Sequence, residues 1–136
     1  MIRLRGRAIR EGKAYGSALV SPEPVGFLGG VDPDTGVVVE PKHPLTGESV
    51  AGRVLVFPTG KGSTVGSYVL YRLAFKGLAP AAIVNASSEA IVAVGAIISN
   101  IPMVDQIDIT QIQTGDEVTV DGEWVTVQRV ARNGRR

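Results

Sequence analysis

Cysteine is absent from the 136 residues, and histidine occurs once, at His43. Disulfides, thiolate nucleophiles and cysteine-held metals are therefore excluded from this chain. One histidine without cysteine also leaves no zinc site of the usual kind. A Ser-His-Asp triad would have to run through His43, which sits between prolines in "PKHPLTG". Aromatic residues make up only 5% of the chain, so the core is expected to be aliphatic. Excess charge is lacking too: the net charge is +1, with no basic field of the kind that binds nucleic acid. The longest apolar run, "AIVAVGAII" (Ala90 to Ile98), is too short to span a bilayer. The charged start has no apolar secretory region. These features lead to the expectation of a soluble, cytoplasmic protein with no nucleic-acid or membrane partner. The basic ends "MIRLRGRAIR" and "RNGRR" read as a solvated strand edge and a frayed tail.

Glycine, in contrast, is plentiful at 17 residues, and 44% of the chain is apolar. That composition and length suit one domain, 1–136, with many tight turns. One or two strands are expected in "GRAIREGKAYGSALVS" and a long turn-rich loop in "PEPVGFLGGVDPDTG". A short strand is expected at Val37–Glu40 and an irregular stretch in "PKHPLTGESVAG". "GRVLVF" reads as a strand. "STVGSYVLYRLAFKG" reads as a helix beginning at Ser63 or Thr64 and stopping at Gly77, with Val65, Val69 and Leu73 as its buried stripe. "APAAIVN" is a buried strand and "SSEAIVAVGAIISN" a nearly all-apolar helix. The residues of that helix, including Ile91, Val94 and Ile97, are expected to be covered by the sheet and by a neighbour. "IPMVD" is a brief strand, and "DEVTVDGEWVTVQRV" a hairpin turning at Asp121-Gly122. The order predicts a barrel-like or split sheet carrying two helices, with the long loops and the Gly-Lys-Gly-Ser turn gathered at one end.

"PTGKGSTVG" (Pro58 to Gly66) has the outline of a phosphate-binding loop between a strand and a helix. It departs from the nucleotide pattern twice. Gly60-Lys61 is followed by Gly62 rather than directly by the hydroxyl residue, and Leu55 stands where the first glycine belongs. The placement still offers free amides and a partial positive charge, which stabilise a phosphate, a carboxylate or a side-chain alkoxide. Ser63 is then either a helix cap or an oxygen facing a ligand. Gly60 and Gly62 let a ligand approach the backbone. Lys61 could pair with an anion or simply be solvated. Asp32 and Asp34 suit turn formation, and Asp105 suits a local cap. His43 is either a loop-packing residue or a substrate contact.

Taken together, "GGVDPDTG", "HPLTGESVAGRVLVFPTGKGSTVGSYVLYRL", "GLAPAAIV" and "VGAIISNIPMVD" resemble the small subunit of the aconitase X family. The resemblance runs from about Gly29 to Asp105 with order and spacing intact. It implies an α/β fold: the swivelling β/β/α domain of aconitases, a barrel-like sheet with two main helices. It further implies a hydro-lyase whose separate large subunit carries an iron–sulfur cluster, of the 4Fe-4S type, or iron and most ligands of a small anionic substrate. Two activities are associated with such pairs: dehydration of phosphomevalonate, which is the expected one here, and dehydration of cis-3-hydroxy-L-proline. The alternative is a stand-alone anion-binding domain. In the aconitase pattern the proton acceptor is a serine at this turn, which matches Ser63. Lys61, Gly62, Thr64 and His43 are implied around the substrate. Thr64 stands where better-known aconitases carry an arginine, so a substrate-carboxylate role shifts toward the large subunit.

Overall fold

A computed structural model describes residues 1–130; the basic tail at 132–136 lies outside the described residues. The chain opens with β1 (Ile2–Arg5), β2 (Arg7–Arg10) and the long β3 (Lys13–Val20). An alternating unit follows: β4 (Val54–Phe57), α1 (Gly66–Phe75), β5 (Ala82–Asn85), α2 (Ala90–Ile98) and β6 (Met103–Asp105). β7 (Glu117–Asp121) and β8 (Trp124–Gln128) end the described chain as a hairpin. Asp121 pairs with Trp124, so the two-residue turn is Gly122-Glu123, one position later than expected, with Gly122 in the left-handed region. No helix among the described residues is long and apolar enough to cross a membrane.

The eight strands run in the order β1-β8-β7-β3-β4-β5-β6-β2. β3 joins two halves. Its residues Lys13–Ser17 pair antiparallel with β7, while Ala18–Val20 run parallel to β4. The two edge strands are consecutive in sequence, separated only by Gly6, whose N–H donates to the carbonyl of Glu123. The sheet therefore curls into a nearly closed barrel, which leaves little free edge.

β4, β5 and β6 are buried along their whole length, as continuous apolar strands of a parallel sheet should be. The period of two decides which core each residue joins. Val54, Val56, Val84 and Val104 point into the barrel with Val118, Val120, Val125 and Val127. Leu55, Phe57, Ile83 and Met103 point the other way, under the helices and the long loops, with Leu70, Leu73 and Val92.

Three expectations need correction. Val37–Glu40 forms no ladder strand; Val37 and Val38 make isolated bridges to Ser49 and Val31, so this β-branched run braces loops instead. In α2, Val92, Gly95 and Ala96 are buried, but Val94, Ile97 and Ile98 are each 49% exposed. The sheet and α1 cover only one side of that helix. Val65, expected in the buried stripe with Val69 and Leu73, is also exposed, because it precedes the first helical residue.

Candidate active site

The carboxyl ends of parallel strands are where ligands of α/β sheets bind. Here the end of β4 runs into Pro58–Val65. That turn lies against two neighbours. On one side it follows the loop 22–31: Val25 bridges Gly60, and Lys61 N–H donates to the carbonyl of Val25 at 3.1 Å. On the other it touches the start of α2. A Cβ on Gly60 would come within 2.5 Å of Val92 Cγ2 and 2.8 Å of Glu89 Oε1, so only glycine fits there. Glu89 in turn caps α2, accepting from the N–H groups of Ile91 and Val92.

Ser63 stands exposed at the tip. It does not cap α1 as the helix N-cap; that position is Val65, and the helix starts at Gly66 rather than at Ser63 or Thr64. Residues 63–66 close instead as a tighter turn, with Gly66 N–H donating to the Ser63 carbonyl at 2.9 Å. Ser63 Oγ accepts the N–H of Val65 at 3.2 Å. The hydroxyl oxygen therefore sits at the amino end of α1 with a backbone donor already aimed at it. Such an arrangement favours negative charge on oxygen. Gly62, at φ +106°, turns the chain in a conformation costly for other residues, and nothing lies within 4 Å of where its Cβ would be. That side of the serine is open.

Lys61 is not left free. Its Nζ lies 2.8 Å from Glu40 Oε2, tying the turn to the segment after Val37–Val39. His43 is only 7% exposed. Its Nδ1 accepts the N–H of Leu45 at 3.1 Å, so Nε2 carries the proton and donates to the carbonyl of Pro24 at 3.0 Å. Both ring nitrogens are engaged, and the geometry is that of loop packing: the ring ties loop 41–49 to loop 22–31. The expected gathering of the two long loops and the serine turn is thus present, with Glu40, His43 and Val25 as the ties. Thr64 is exposed beside Ser63 and lines a groove between α1 and α2.

Asp32 accepts the N–H of Asp34, as a turn former should. Asp34 does more. It meets Lys76 and Arg72 at the far end of α1, and these partners hold its carboxyl below the usual carboxylate range. Asp105 is buried at the end of β6. Desolvation by that burial raises its pKa, but bidentate contact with Arg7 and the N–H of Ser88 outweigh it, and the net shift is downward.

Two residues at this end of the sheet are not singled out by the sequence pattern. Asn85 ends β5 fully buried; its Nδ2 donates to the carbonyls of Phe57 and Val84, and its Oδ1 has no partner among the described residues. The one signal was a polar residue closing an otherwise apolar strand. Glu89 carried the ordinary signal of an acidic residue just before an apolar run.

The family model described as "Aconitase X swivel domain" matches residues 3–128. The chain belongs to the aconitase X swivel-domain family. A solved aconitase X of Thermococcus kodakaraensis, in its holo form, superposes with a TM-score of 0.91 at 51% identity, covering 93% of this chain and 98% of that one. The phosphomevalonate dehydratase small subunit of Pyrococcus furiosus is 52% identical over 131 residues, 96% of this chain and 98% of that protein. The protein of the same name from Methanocella arvoryzae is 56% identical over 124 residues, 89% of this chain and 94% of that protein. The swivel-domain fold expected from the family, α/β with a barrel-like sheet and two main helices, is the fold found. An aconitase-like dehydratase implies an iron–sulfur cluster. This chain does not fit one: it has no cysteine, and its described residues contain no group of three or more His, Cys, Asp or Glu side chains that could hold a metal.

Proposed function

We propose that this swivel domain is the small subunit of a phosphomevalonate dehydratase, active only with a larger subunit that holds the iron–sulfur cluster. Two supports carry the reading: the names of close, full-length relatives, and an open serine whose oxygen is met by a backbone N–H at the start of a helix. In the reaction, (R)-5-phosphomevalonate loses a proton from the carbon alpha to its carboxylate and hydroxide from the β-carbon. The products are trans-anhydromevalonate 5-phosphate and water, in the mevalonate route to isoprenoids.

Ser63 is the proton acceptor in this proposal. Serine is a poor base in water, so its alkoxide needs help. The Val65 N–H and the positive end of α1 supply it here. The Cα–H bond breaks as the new O–H bond forms, and the alkoxide becomes a neutral hydroxyl. Gly62 leaves room for the substrate carbon to reach Oγ. Lys61 is half exposed and two residues away, so it can exchange Glu40 for an anionic group of the substrate. Thr64 offers a hydroxyl on the same exposed turn. His43 contributes at one remove, by holding the loop against which the turn rests.

The test is turnover by the purified two-subunit complex. Phosphomevalonate should be dehydrated and cis-3-hydroxy-L-proline should not, while the isolated small subunit should be inert toward both. Turnover of the proline alone, or turnover by the isolated chain, overturns the reading.

A further inference from the structure

α1 and α2 leave one apolar face uncovered. α1 presents Tyr68, Tyr71 and Phe75, which are 73%, 49% and 83% exposed; α2 presents the half-exposed Val94, Ile97 and Ile98. The helices pack on each other through Gly95 against Ser67 and Leu70, so these side chains share one layer. Tyr68, Val94 and Ile98 line a single groove, and Thr64 lines it too. Val65, the residue after Thr64, is exposed as well. Charge is sparse. α2 has none, and Arg72, the cation beside Tyr68, Tyr71 and Phe75, is tied to Asp34. A contiguous apolar patch of this kind marks an interaction site, whereas singly exposed residues such as Tyr15 on β3 do not.

We propose that this face is where the large subunit docks, through an apolar surface of its own. The proposal rests on the two-subunit reading above. Continuity decides the occupant. The groove ends at Thr64, the neighbour of Ser63, so whatever completes the active site must come up to this end of the face. A second copy of the chain would bring another serine turn and no metal ligands, and the site would stay incomplete. The large subunit brings what the chain lacks. Its contact also covers the outer side of α2, which the chain's own sheet and α1 leave bare.

Two measurements on the complex with the cognate large subunit test this. The first is oxidative labelling of the wild-type chain. Adding the large subunit should protect Tyr68, Tyr71 and Phe75 several-fold and leave Tyr15 unchanged. A formed complex with those three residues still fully labelled overturns the proposal. The second is the Kd of Tyr68→Glu and Ile97→Glu. Both residues are well exposed, so both variants should keep the wild-type circular dichroism. Each should bind on the order of 10²-fold more weakly, the usual loss at an interface anchor, while Tyr15→Glu binds normally. Folded variants with wild-type Kd overturn the proposal, as do variants that lose only self-association. Neither readout uses substrate. Protection in a complex inert toward phosphomevalonate keeps the docking face and removes the dehydratase reading; activity without protection does the reverse.

Discussion

On the antiparallel side, β7 and β8 turn valines into the barrel, β1 and the first half of β3 add Ile2, Leu4 and Ala14, and charges face outward. Arg3 and Arg5 lie 4.1 and 5.5 Å over the ring of Trp124, Arg5 meets Glu123, and Arg129 meets the buried carboxylate of Asp116. Its surface is finished by its own residues. On the parallel side the strands are buried on both faces, yet the helices laid over them keep tyrosines, a phenylalanine and isoleucines in solvent, and the serine turn stays open. One half of the molecule is a self-sufficient scaffold. The other leaves an apolar helical face bare, and the turn that carries the proposed base, Ser63, sits at its edge.

The comparison breaks first at Phe57. This fully buried ring ends β4 and meets Phe27 of the long loop edge-on, with centroids 6.4 Å apart. Phe57→Ala should cost about 3–5 kcal/mol in chemical denaturation, and it should loosen the loop that backs the serine turn. A loss below about 1 kcal/mol would mean the helical half does not depend on its inner core.

Asp105 comes next, at the seam where β6 meets β2. Its pKa is lowered in the folded chain, so its contribution is full above the ordinary carboxylate value and is lost as pH falls through the folded value. Asp105→Asn should cost about 1–2 kcal/mol at neutral pH, since exposed Arg7 is resolvated. The gap from wild type should close below about pH 4. A gap that persists in acid would point to packing rather than charge.

Ile97→Ala should have a smaller effect on the isolated chain, about 1 kcal/mol or less, because half of the side chain already faces water. Its larger effect should appear only in the complex. Thermal unfolding of the free and bound chain separates the two. A loss of 2–5 kcal/mol in the free chain, the range for a fully buried isoleucine, would restore the expectation of burial within this chain.

Much of the scaffold was legible as pattern. β4, β5, β6 and the last hairpin follow from short β-branched runs bounded by turn residues, and both helices follow from apolar spacing. What was illegible depends on partners distant in sequence. The closing of the barrel at Gly6 needs Glu123. The role of His43 needs the carbonyl of Pro24. Lys61 is paired with Glu40, 21 residues away. Apolar spacing also cannot say what covers a helix. Val65, Val94 and Ile97 read as buried because they are apolar, and they are exposed because nothing among the described residues lies over them. At the serine turn the residues were legible, while the local geometry was not: Ser63 precedes the helix by a turn and uses its oxygen on Val65 instead of capping α1 as its N-cap.

The role of Ser63 is tested most directly by Ser63→Ala in the assembled complex. The free chain should lose less than about 1 kcal/mol, the scale of a lost local hydrogen bond at a helix start, and assembly should be unchanged. At equal iron content, kcat should fall roughly 10²–10⁴-fold, the range for a positioned acid–base group. Exchange of the substrate's alpha proton with deuterated water should fall with it. Wild-type turnover and exchange in the variant would contradict the account, leaving Ser63 as a turn residue and placing the base on the large subunit.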